Sequence, residues 1–337
     1  MKTMAASTLA LLVAVGTLVG GLWDRESGSV VALAAGAQRG LIADGGVFAP
    51  SIIFDDRRGV FRLWYHGPSV RARIDVLHRE SLDGRTWGPA IRLYSGDAWG
   101  TGVLRDGDGY RWLTYQIQPK NGVIPGMYAG QSADGLRWRP LRGPLLRFAD
   151  GVGDIIDLFH DPIRGRWGGF VKLFAWPREF GPDPRMASVR RLTGVTSSND
   201  FEHWATPTRA FVPDAGDEGE IEFYGAACCV VRDRRLVAFL RVLRDDVGEG
   251  IGYTVLAWSD DGVTWERARA PFLDRCPRSF DASTAWVYGV TEHDGTIYLV
   301  YSAYDTGHKV GDRAVAIATM PSEALHLPDG RGPECAP

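Results

Sequence analysis

Helical periodicity is nearly absent from this sequence, and so are blocks of like charge, closely spaced metal-ligand cysteines and the short motifs of the common hydrolases. Each absence excludes something. Without apolar residues recurring at helical spacing, bundles and helix-covered parallel sheets drop out. Lys and Arg total 38 against 41 Asp and Glu, giving a formal net charge of −3 with no single-signed run. That balance supplies neither a basic face for nucleic acid nor a polyacidic tail. The four cysteines have no zinc-site spacing. Cys228 and Cys229 sit side by side in an apolar run and read as buried thiols, whereas a Cys276–Cys335 bridge is expected to tie down the C-terminal tail. No HExxH, GxSxG or phosphate-loop pattern occurs, which argues against peptidases, esterases and nucleotide enzymes. No spacing calls for a metal or a cofactor.

What is present begins with one uncharged stretch. Met4 to Trp23 follows Lys2 without a charge, as in the apolar core of a secretory signal or a membrane anchor. Ala35-Gly36-Ala37 has the small-x-small pattern of a cleavage site. Residues 1–38 are therefore expected to be a signal or anchor with its linker, and the protein to be secreted or held outside the cytoplasm by residues 4–23. The remainder, 45% hydrophobic and 23% charged over the whole chain, has the balance of a globular domain.

A seven-residue turn recurs through that remainder: SLDGRTW at Ser81 to Trp87, SADGLRW at Ser132 to Trp138, SNDFEHW at Ser198 to Trp204 and SDDGVTW at Ser259 to Trp265. The copies lie roughly 50 to 65 residues apart, the spacing of an array built from one small supersecondary unit. Short runs rich in Val, Ile, Phe, Tyr and Trp precede each copy, bounded by Gly, Asp and Arg turns, which is strand chemistry. PSIIF, DDRRG and VFRLWYHG (Pro50 to Gly67) form a first hairpin that is echoed four more times. The expectation is an all-β fold, a five-bladed β-propeller of four-stranded antiparallel blades over residues 39–325, with a tail at 326–337. In each blade the turn would join the two outer strands, Gly supplying positive φ and Asp bonding its own backbone. These turns are scaffold.

Chemistry is expected where the loops leading into the innermost strands converge on a central funnel. Every such loop carries acid: Asp44, then Asp97, then Asp154 and Asp157, then Asp217, Glu218, Glu220 and Glu222, then Asp281. Two stand out. Asp157 interrupts Ile155, Ile156, Leu158 and Phe159, and Glu222 lies between Ile221 and Phe223-Tyr224; a charge inside a run built for burial needs a partner or a wet cavity. Asp161, in the HDP turn, belongs to the opposite end and reads as structural. Trp99, Trp286, Tyr224 and Phe48 occupy comparable lead-in positions and could stack on sugar rings, although each taken alone reads first as core, since a large aromatic gains most of its energy by burial. Carboxylates converging in an aromatic funnel suit glycosidic cleavage, one protonating the leaving oxygen and another acting as nucleophile or base.

The hairpin PSIIFDDRRGVFRLWYHG, the SxDGxxW turns and DGTIYLVYSAY resemble the five-bladed propeller glycosidases of glycoside hydrolase families 32, 43 and 68, over nearly the whole chain after residue 40. The resemblance implies a carbohydrate substrate and three acids at successive inner strands. Carried over, Glu222 matches the glutamate acid and Asp157 or Asp154 the supporting aspartate. The first aspartate, which that pattern puts directly before the proline of the opening strand, is Ala49 here. Asp44 from the loop or Asp281 of the fifth unit would take its place. The competing expectations are a non-catalytic carbohydrate-binding propeller and a phosphorylase with a cationic pocket beside the acid. Sialidases differ in the length of the aspartate turn and in an arginine triad that finds no match here.

Overall fold

The structure, a computed structural model, describes residues 38–68, 74–96, 98–116, 124–141, 143–147, 152–175, 190–214, 216–217, 219, 221–308 and 310–327. The expected leader, the tail after 327 and Cys335 lie outside the described residues. Among the described residues the elements are strands and one short 3-10 turn, Ser322–Ala324.

β1 (Gln38–Ala43) is followed by five antiparallel groups. The first is β2 (Phe48–Asp55), β3 (Val60–His66), β4 (Ile74–Ser81) and β5 (Ile91–Gly96). The second is β6 (Ala98–Asp106), β7 (Gly109–Gln116) and β8 (Gly126–Ser132), edged by the short β9 (Arg139–Pro140) and β10 (Leu146–Arg147). The third is β11 (Val152–Asp161), β12 (Arg166–Ala175), β13 (Arg190–Ser198) and β14 (Thr208–Phe211). The fourth is β15 (Ile221–Arg232), β16 (Arg235–Arg244), β17 (Ile251–Ser259) and β18 (Glu266–Arg267). The fifth is β19 (Thr284–His293), β20 (Thr296–Tyr304) and β21 (Arg313–Pro321), and its outer strand is β1 from the start of the domain. A single parallel bridge, Gly252 to Thr284, joins the last two groups into one sheet.

The first strand of each group packs on the first strand of the next, and β19 packs back on β2. This closed cycle is β-propeller architecture. It removes sheet edges from solvent. A separate apolar core fills each junction: Ile53 and Trp64 with Val103 between groups one and two, Leu113 and Met127 with Val171 between two and three. Phe170 and Phe211 with Phe223 follow, then Phe239 with Val287, then Leu63 with Val300 closing the ring.

The repeated turn forms as its residues dictate. Ser81 Oγ accepts the Gly84 N–H at 2.9 Å, and Asp83 Oδ1 accepts those of Arg85 and Thr86 at 2.8 and 2.7 Å. The backbone N–H groups of Thr86 and Arg85 hold the Asp83 carboxyl far below the usual carboxylate range. Gly84 has φ of 69°, and a Cβ there would lie 2.6 Å from the Tyr298 ring of the fifth group. Glycine is thus required twice over, for conformation and for closeness to the neighbouring sheet. In the third copy Phe201 adopts φ of 68° instead and fills the junction with its own buried ring. The tryptophans pack between groups, Trp265 edge-on to Phe170 of the preceding sheet.

Asp161 is structural, as expected: it is buried, caps its own turn through the Ile163 and Arg164 N–H groups and pairs with Arg164 at 2.9 Å. Cys228 is buried and Cys276 is exposed, and among the described residues neither has a disulfide partner.

Candidate active site at the funnel axis

Counting back from each first hairpin places Ser51, Gly102, Asp157, Ala227 and Gly289 at equivalent inner-strand positions, opposite Trp64, Leu113, Phe170, Phe239 and Val300. Four are small. The neighbouring inner strands β19 and β2 approach closely at this level, since a Cβ on Gly289 would come within 2.9 Å of the Ile52 nitrogen. Asp157 is the one charged residue in that ring. The same count on the second strands aligns His66, Tyr115, Lys172, Arg241 and Ser302. A ring of small residues beside a ring of polar ones concentrates charge at the third and fourth groups.

Asp157 is 7% exposed and pairs with Arg241, which is itself fully buried. The Arg241 guanidinium also donates to the Tyr224 carbonyl from Nε at 2.8 Å and to the Val287 carbonyl from Nη1 at 3.0 Å, and it lies 3.9 Å from the centre of the Tyr288 ring. One side chain therefore ties the third, fourth and fifth strand groups together. Burial pushes the Asp157 carboxyl up to about 6, against the opposing pull of Arg241 and a hydrogen bond from the Ala226 backbone.

A stability prediction follows from that shift. The folded protein holds this proton more tightly than the unfolded chain, whose reference value is 3.8. The contribution is fully present below that value and is lost as pH rises through about 6. Asp157→Asn abolishes it. Denaturant unfolding should therefore show the variant gaining on wild type between pH 4 and 6, by a difference on the order of 3 kcal/mol. A constant difference across that window would contradict the placement of Asp157.

Glu222, at the start of β15, is 1% exposed. It accepts from the Arg191 backbone N–H at 3.1 Å, from Arg191 Nη1 at 2.7 Å and from the Tyr224 hydroxyl at 3.3 Å. Tyr224 is the hub that joins both acids. Its hydroxyl touches Glu222, its carbonyl holds the arginine of Asp157, and its ring stacks on Trp286 at 4.8 Å. From there a band of rings and cations runs through Tyr304 and Arg313 to Phe48 and His66, with Arg313 5.2 Å from the Tyr304 ring and 5.4 Å from that of Phe48. Lys172 approaches the Tyr224 ring from the third group at 5.9 Å. Among the described residues, no group of three or more His, Cys, Asp or Glu is arranged to hold a metal.

The structure thus links Asp157 and Glu222 through Arg241 and Tyr224, with Trp286 stacked on the Tyr224 ring and half-buried Phe48 further round the axis. Other expected residues fall elsewhere. Asp281 is fully buried but pairs with Arg39 of β1 at 2.8 Å and accepts from the Tyr301 hydroxyl at 3.1 Å. It fastens the closing strand. Asp44 lies exposed in the loop before β2. Trp286 is fully buried, its Nε1–H spent on the Val242 carbonyl at 2.8 Å, so it backs Tyr224 and presents no open face. The side chains of Asp154 and Trp99 lie outside the described residues. Ala49, at the usual first-acid position, is buried with φ of 49° and donates its N–H to Ser302 Oγ at 2.8 Å. Arg191, Arg241, Tyr288 and His308 were not singled out from sequence. Arg241 could have been, because it breaks the apolar run from Leu236 to Leu243 just as Asp157 breaks its own.

No family model matches the chain, and no curated protein is similar to it in sequence. Solved structures do share the fold. A β-1,2-mannobiose phosphorylase from Listeria innocua superposes with a TM-score of 0.61 at 11% identity, covering 87% of this chain and 93% of its own. An endo-arabinase from Bacteroides thetaiotaomicron gives 0.57 at 15% identity over 86% and 97%. A glycosyl hydrolase from Bacteroides ovatus gives 0.60 at 14% identity over 84% and 86%. The chain has the propeller fold of glycoside-active proteins.

Proposed function

We propose that this protein cleaves a glycosidic bond at the axial end of the funnel, with Glu222 as general acid and Asp157 supporting the positive charge that develops at the anomeric carbon. The observation that carries this reading is that two buried carboxylates from successive sheets are linked through Tyr224, Glu222 at its hydroxyl and Asp157 by way of Arg241 on its carbonyl. Glu222 gives its proton to the leaving oxygen as the bond to the anomeric carbon breaks. Asp157, pushed up to about 6 by burial, is in the range where a carboxyl changes charge near neutral pH, and its ionised form faces the forming oxocarbenium ion. Asp44, on the exposed loop before β2, is the candidate nucleophile or base.

The substrate class is a furanoside or pyranoside, and fold-sharing structures of an endo-arabinase and a mannobiose phosphorylase support a carbohydrate. Incubation with a panel of aryl glycosides, furanosides first, tests the reading, with release of the aryl alcohol as the expected result.

Two specific observations favour a second reading, a propeller that binds sugar without cutting it. Ala49 replaces the first acid, and both described axial carboxylates are paired with arginines. Binding measured by calorimetry with no product release would select that reading. The uncharged run from Met4 to Trp23 supports export, and N-terminal sequencing of the recovered protein would read whether it is removed.

A further inference from the structure

We propose that His308 returns protons to Glu222 through the Tyr224 hydroxyl; this rests on the reading of Glu222 as general acid. A general acid that surrenders its proton at each turnover must regain it, and Glu222 is 1% exposed. Tyr224 is 5% exposed, whereas His308, on the segment between β20 and β21, is half-buried with its Nδ1 enclosed. The Tyr224 hydroxyl lies 3.3 Å from Glu222 Oε2 and 3.3 Å from His308 Nε2. A hydroxyl has one proton to give and lone pairs to accept another, so a protonated Nε2 makes the chain directional: imidazole to hydroxyl to carboxylate.

The step balances without any further reagent. The imidazolium passes its Nε2 proton to Tyr224 Oη as the hydroxyl's own hydrogen moves to Glu222 Oε2. Tyrosine is unchanged, the imidazole (keeping its Nδ1–H) and the carboxyl end neutral, and Nε2 then regains its proton from water. Packing holds the three groups in place. The Tyr224 ring is clamped between Trp286, stacked at 4.8 Å, and the Arg191 guanidinium at 5.3 Å. The His308 backbone N–H is anchored on the Glu249 carbonyl at 2.9 Å, and its ring lies against Trp286 and Tyr304.

The charged and titratable neighbours of this chain come from every surrounding element. Arg191 faces Glu222 from β13, Lys172 faces the Tyr224 ring from β12, and Arg241 on β16 holds the Tyr224 carbonyl together with Asp157 of β11. Asp245, just past β16, acts on both Tyr224 and Arg191, and Arg313 lies over Tyr304. Burial, and after it the Glu222 charge, drives the Tyr224 hydroxyl far above its usual range and keeps it protonated as a donor.

Two measurements test the proposal. The first follows the His308 ring by NMR across pH in wild type, Glu222→Gln and Tyr224→Phe. Coupling through the hydroxyl requires the His308 midpoint to fall by roughly half a unit or more when the carboxylate is neutralised, and the effect of Glu222→Gln to shrink in a Tyr224→Phe background. A midpoint that ignores Glu222→Gln overturns the proposal. The second compares His308→Asn on an alkyl glycoside, whose leaving group needs a proton, and on a dinitrophenyl glycoside, whose leaving group does not. The expected loss is ~10- to 100-fold on the first, smaller on the second, and reversed in part by added imidazole. Equal losses on both substrates, or none, overturn it. If the protein cleaves no glycoside, the role of Glu222 as acid falls, and the titration alone decides whether the proton path exists.

Discussion

Replacing Glu222 by glutamine is expected to lower glycoside turnover by ~100-fold or more while leaving the fold intact. Glutamine keeps the shape of the side chain, and its carbonyl oxygen can still accept from the Arg191 backbone N–H or the Tyr224 hydroxyl. What it loses is the transferable proton. The deficit should therefore be largest for substrates with poor leaving groups and small for activated aryl glycosides, a split that steady-state kinetics on matched substrates reads directly. Unchanged turnover on a poor leaving group would remove Glu222 from the reaction.

The largest stability loss is expected at Arg241. Replacing it by methionine keeps much of the buried stem but leaves the Asp157 carboxylate without its cation and takes the donors from the Tyr224 and Val287 carbonyls. Removing one partner of a buried pair costs about 3 to 5 kcal/mol, because the remaining charge stays out of water uncompensated. The loss, read by urea unfolding at pH 7, should shrink in acid, where Asp157 takes up a proton and the stranded charge disappears. The double variant Arg241→Met with Asp157→Asn should recover part of it. Full additivity of the two single losses would mean that the pair is not formed.

The scaffold was legible because its determinants are local. The turn residues Ser81, Asp83 and Gly84 satisfy one another within four positions, and the same chemistry recurs at Ser132, Ser198 and Ser259. Strand content and the first hairpins follow from alternation and turn residues in the same way. Asp157 and Glu222 were legible for a different reason: each sits in an apolar run, and charge there demands an explanation. That criterion applies equally to Arg241, which breaks the apolar run from Leu236 to Leu243.

Contacts that ring closure creates left no local mark. Asp281 resembles the other lead-in acids, yet its partner Arg39 is 242 residues away on the strand that closes the fifth group. His308 and Arg191 have polar or turn-forming neighbours in sequence, so nothing marks them until Tyr224 is brought between them. Trp286 was legible as a large aromatic that gains most by burial, but its partner was not, because stacking on Tyr224 is a tertiary fact.

The most direct measurement follows the appearance of new reducing ends when purified wild type, Glu222→Gln and Asp157→Asn proteins are incubated with oligosaccharides that each protein binds by calorimetry. Catalysis by the two axial carboxylates predicts reducing ends from wild type, a loss of ~100-fold or more in both variants, and saccharide binding retained in all three. Equal release from all three proteins, or tight binding by wild type with no release, would contradict it.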